Sequence, residues 1–144
     1  MSDVNPARYK PTKRPISIVT LAQLLTVIPM LVEVSLVLTR DNDYFKHDAT
    51  RATVIVGWWV LLVWLVTIVT NIFAVISNSY ILLLPNIIYL VILTIPSSAI
   101  LIIFLSQDET SRWGVMASFF ECLLVAVSIY QETCAFNEMK ESLE

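Results

Sequence analysis

Glycine occurs only twice in these 144 residues, cysteine twice and histidine once. Two glycines leave no Gly-rich loop to cradle a phosphate and no G-x-S-x-G nucleophile elbow. One histidine and two cysteines leave no cluster with zinc-ligand spacing. His47 stands between Asp43 and Asp48 and reads as part of a solvated loop. Cys122 and Cys134 fall on one expected helix, about 18 Å apart along its axis, too far to bond to each other. Charge is scarce as well. Asp, Glu, Lys and Arg make up 15% of the chain, against about a quarter in soluble domains. No run mixes basic and aromatic residues as a nucleic-acid surface does. The expectation is a protein that is no enzyme, holds no cofactor or metal, and binds no nucleic acid.

Apolar residues fill the space these absences leave, at 57% of the chain. Four runs stand out: Ile16 to Thr39, Thr53 to Ile76, Tyr80 to Leu105 and Trp113 to Phe136. Each exceeds the roughly 20 residues that cross about 30 Å of hydrocarbon as a helix. None carries the charged face of a soluble core helix. The fold class is therefore an all-α integral membrane protein, with four transmembrane helices in an up-down bundle joined by short loops. The first run is longer than a signal-peptide core and lacks an A-x-A-like site, so it is expected to remain as helix one.

Residues 1–15 read as a basic, proline-containing tail, 16–136 as the transmembrane domain, and 137–144 as a short acidic tail. The prolines at 6, 11 and 15 favour an extended tail. The connections at 40–52, 77–79 and 106–112 are too small to build a core of their own. In number of spans and shortness of loops the chain resembles small four-span membrane proteins such as the MARVEL and lysosomal tetraspan groups.

Arg8, Lys10, Lys13 and Arg14 precede helix one, against Arg40, Lys46 and Arg51 after it. That bias favours a cytoplasmic N-terminus, and four spans return the C-terminus to the same side. An endomembrane such as the ER is slightly favoured over the plasma membrane. Trp58, Trp59 and Trp113 at one side, and Tyr80, Tyr130 and Phe136 at the other, fit aromatic belts. Cys134 lies at the cytoplasmic edge, where reversible lipidation is conceivable.

At 100° per residue, each helix has one stripe richer in polar or small residues. Helix one aligns Gln23, Thr26, Met30 and Glu33. Helix two aligns Gly57, Val60, Trp64, Thr67 and Asn71. Helix three aligns Asn86, Leu90, Leu93 and Ser97. Helix four aligns Gly114, Ala117, Glu121, Val125, Ser128 and Glu132. Such stripes mark helix–helix contacts in membranes. By depth, Glu33, Ser97 and Glu121 fall about 5 to 8 Å from the midplane toward the non-cytoplasmic side. Gln23, Asn71 and Asn86 fall about 7 to 10 Å toward the cytoplasmic side. Two polar layers are thus expected to face inward, with an apolar plug around Trp64 between them.

The sequence reading is an accessory or scaffold subunit. It works by helix–helix association in the lipid bilayer with a larger integral membrane protein as hetero-oligomeric partner. An alternative is a small proton- or cation-coupled carrier or channel using Glu33 and Glu121, which at one depth could share a proton. A further alternative is an endomembrane sorting adaptor.

Overall fold

The computed structural model describes residues 10–40, 48–106 and 112–143. The first nine residues of the basic tail, residues 41–47 with His47, residues 107–111 and residue 144 lie outside the described residues. Four long helices account for nearly everything else: α1 Lys10–Thr39, α2 Asp48–Ser77, α3 Leu84–Ser106 and α4 Arg112–Leu143. All four contain a stretch long and apolar enough to cross a membrane.

Two ends differ from the sequence expectation. The helix of α1 begins at Lys10, inside the segment expected to be extended. Pro11 sits in its first turn, where a missing N–H costs nothing because that donor has no intrahelical partner. At the other terminus α4 continues to Leu143, so most of the acidic tail is helix. Met139 is buried there, and this contact extends the inward stripe beyond Phe136.

Helices α2 and α3 meet at the short turn the sequence predicts. Asn78 takes a left-handed conformation, φ 54, and the Ser79 N–H donates to the Ala74 carbonyl at 3.1 Å. That bond closes a Schellman-type helix end with asparagine where glycine is usual. A 3-10 turn, Tyr80–Leu83, then leads into α3. Pro85 falls in the first turn of α3, where its fixed φ suits the helix start.

Neighbours in sequence are neighbours in space. α1 packs on α2 and α4, and α3 packs on α2 and α4, leaving α1 diagonal to α3 and α2 diagonal to α4. One apolar cluster, centred on Val27, Trp64, Ile68, Leu90 and Val125, forms the plug. A second, of Ile16, Ala74, Leu83, Ala135 and Met139, gathers the end of the bundle where both termini lie. Large apolar side chains such as Ile76, Ile95 and Phe119 cover the outside. In lipid such a surface carries no hydrophobic penalty, so the interior is specified by small and polar residues instead.

Candidate functional site

The buried interior of the terminal half is polar, and every helix contributes. The α4 stripe of Val125, Ser128, Glu132, Ala135 and Met139 is buried at steps of three and four residues. This spacing is that of one helix face, so Glu132 is carried to the bundle axis. Its Oε1 accepts three hydrogen bonds. Gln23 Nε2 of α1 donates at 2.9 Å, Asn71 Nδ2 of α2 at 3.1 Å and Asn86 Nδ2 of α3 at 2.8 Å.

A second tier orients these donors. Asn86 Oδ1 accepts the Thr67 hydroxyl at 2.8 Å, which fixes the amide with its nitrogen toward Glu132. The same nitrogen lies 3.3 Å from Gln23 Oε1, across the α1–α3 diagonal. Asn71 Nδ2 also reaches Thr20 Oγ1 at 3.1 Å. Gln23, Asn71, Asn86 and Glu132 are all 0% exposed. Glu132 Oε2, Asn71 Oδ1 and Ser128 Oγ find no partner among the described residues. The cluster therefore joins both diagonals of the bundle through one oxygen atom.

Gln23, Asn71 and Asn86 were placed in one layer by depth, and they do meet. Glu132 was not among the sequence candidates. Counted from the centre of a run ending at Phe136, it falls about 11 Å out, just beyond that layer. The signal that identifies it is its register with Ser128 and Val125 on the inward stripe.

Ser97 and Glu121 come together in the opposite half. The Ser97 hydroxyl donates to Glu121 Oε1 at 3.2 Å, tying α3 to α4. Glu33 does not join them. It lies on the exposed surface of α1, which corrects the expectation that it faces the bundle interior. The reason is helical drift: ten residues of 100° leave Glu33 about 80° round from Gln23. The buried face of α1 instead runs through Ile16, Val19, Thr20, Gln23 and Val27. Glu33 and Glu121 therefore make no shared-proton pair. Cys134 is half-buried on α4.

Aromatic residues near the far end do more than mark depth. The Trp58 indole donates to Ser35 Oγ at 2.9 Å, joining α1 to α2. Tyr89 of α3 donates to the Val60 carbonyl of α2. Among the described residues no group of three His, Cys, Asp or Glu side chains is placed to hold a metal ion.

Fold and interior together define an all-α, multi-pass membrane protein of four spans. Compared with protein-family models, curated proteins and solved structures, the chain matches none of them.

Proposed function

We propose that this chain is an accessory or scaffold subunit. It associates through the Glu33 face of α1 with a transmembrane helix of a larger integral membrane protein. The observation that carries this reading is the position of Glu33. It is exposed on the outside of the bundle, among the exposed apolar residues Ile28, Val32 and Leu36. A carboxyl group facing hydrocarbon costs roughly 2.5 to 3.5 kcal/mol near the centre of a span, and somewhat less toward its end. A partner side chain that donates a hydrogen bond or carries a positive charge removes that cost. The internal fold does not use Glu33, so its retention at this depth fits a role between chains.

The partner surface implied is a helix with Lys, Arg or an amide side chain at matching depth, flanked by apolar residues. Both termini are read as cytoplasmic from the basic residues before α1, and an endomembrane is favoured. Protease accessibility of tags at both ends, tested in sealed vesicles, checks that orientation.

The test of association is purification in mild detergent, scored for a stoichiometric partner. Glu33→Leu is expected to lose the partner while the isolated chain keeps its helicity and monodispersity. Glu33→Gln retains an acceptor and is expected to keep most of the complex. An intact complex with Glu33→Leu removes the reading.

A further inference from the structure

The half of the bundle away from the termini contains a cavity of ≈ 320 Å³ to which all four helices contribute. That size lies at the small end of the roughly 300 to 1,000 Å³ typical of small-molecule sites. Its walls are mostly apolar, with Met30 from α1, Val60 from α2 and Leu93 from α3. Two polar features stand out. Glu121 lines the cavity beside Ser97, whose hydroxyl it accepts. Trp64 lines it as well, is 0% exposed, and has an indole N–H without a partner among the described residues.

The polarity of these two groups is complementary to one kind of ligand. Glu121 offers an anionic acceptor, and no Lys, Arg or His lines the cavity to neutralise it. Trp64 offers only a donor. Burying either without a partner is costly. We propose that this cavity binds a small amphipathic amine that carries an oxygen acceptor at the end opposite its ammonium group. The ammonium sits against Glu121 and Ser97, the apolar body lies on Met30, Val60 and Leu93, and the oxygen accepts the Trp64 N–H.

Gly57 supplies an independent handle. It lines the cavity, and a Cβ built on it meets no atom within 4 Å. A larger side chain there grows into the cavity rather than into a neighbouring helix.

The probe is tritiated para-methoxyphenethylamine, titrated onto the purified full-length chain in detergent micelles. The comparison ligands are phenethylamine, which lacks the oxygen, and the matching para-methoxyphenyl alcohol, which lacks the ammonium. Wild-type protein is expected to show one saturable site that prefers the amine over the alcohol by about tenfold or more. Gly57→Phe is expected to abolish saturable binding, with Gly57→Leu as the milder block should the first variant fail to fold. Glu121→Gln should erase the preference for amine over alcohol. Trp64→Phe should erase the preference for the methoxy compound over phenethylamine. Absence of saturable binding to the wild type overturns the proposal. So does binding that survives both Gly57 variants in folded protein, or an amine preference that survives Glu121→Gln.

Discussion

The two halves of this bundle treat their carboxyl groups differently. In the terminal half, Glu132 is fully buried and its Oε1 takes N–H donors from all three other helices. In the opposite half, Glu121 is half-buried, accepts one serine hydroxyl and faces a cavity. Glu33 lies outside the bundle altogether. The difference teaches where folding free energy is concentrated. Lipid tails are as apolar as leucine, so apolar packing alone discriminates weakly between helix arrangements in a membrane. A carboxyl oxygen that collects three donors fixes the rotation and depth of all four helices at once. The half without such a centre can keep a cavity, and has a carboxyl group left over for its outer surface.

The largest expected effect sharpens that contrast. Glu132→Leu strands three buried N–H donors, each costing about 1 to 3 kcal/mol when unpaired. We expect it to destabilise the bundle by about 3 kcal/mol or more, measured by unfolding in mixed micelles. Glu121→Leu removes one hydrogen bond beside a cavity and should cost less than about 1 kcal/mol. Equal losses for the two variants would break the comparison.

Next in size is Asn86→Ala. It deletes the α3 donor to Glu132 and leaves the Thr67 hydroxyl without that acceptor. A loss of about 1 to 2 kcal/mol is expected, against less than half of that for Ser97→Ala. The same unfolding measurement ranks the pair. Glu132→Gln should be milder still, within about 1 kcal/mol of wild type, because an amide oxygen can accept the same three donors. A collapse of this variant to the level of Glu132→Leu would show that the negative charge, rather than the oxygen acceptor, holds the cluster. The smallest effect belongs to Gly57→Ala. Helix propensity favours alanine by about 1 kcal/mol in a helix interior, and the added methyl meets no atom within 4 Å. It should leave the melting temperature unchanged or slightly raised.

Much of this organisation was legible in the chain. Runs of more than 20 apolar residues leave few alternatives to membrane helices. On α3 the stripe of Asn86, Leu90, Leu93 and Ser97 is the buried face, residue for residue. Two things were not legible, both for geometric reasons. A stripe of three- and four-residue steps drifts around the helix, so Glu33 leaves the face that Gln23 occupies. Depth counted from an apolar run misjudges a helix that continues past it, as α4 does beyond Phe136 to Leu143. Glu132 therefore looked peripheral when it is central. The donor directions at Glu132 depend on side-chain rotamers and on the second tier of Thr20 and Thr67. Residue spacing does not encode them.

The claim that the half away from the termini serves other molecules rests most heavily on Glu33. A photoreactive amino acid at Leu36, exposed one turn from Glu33, reports what touches that face in the native membrane. A second placed at Tyr130, exposed on α4, serves as the reference. One discrete adduct of higher mass from position 36, lost when Glu33→Leu is added and not formed from position 130, is the expected result. Adducts with lipid alone from both positions would contradict association through Glu33.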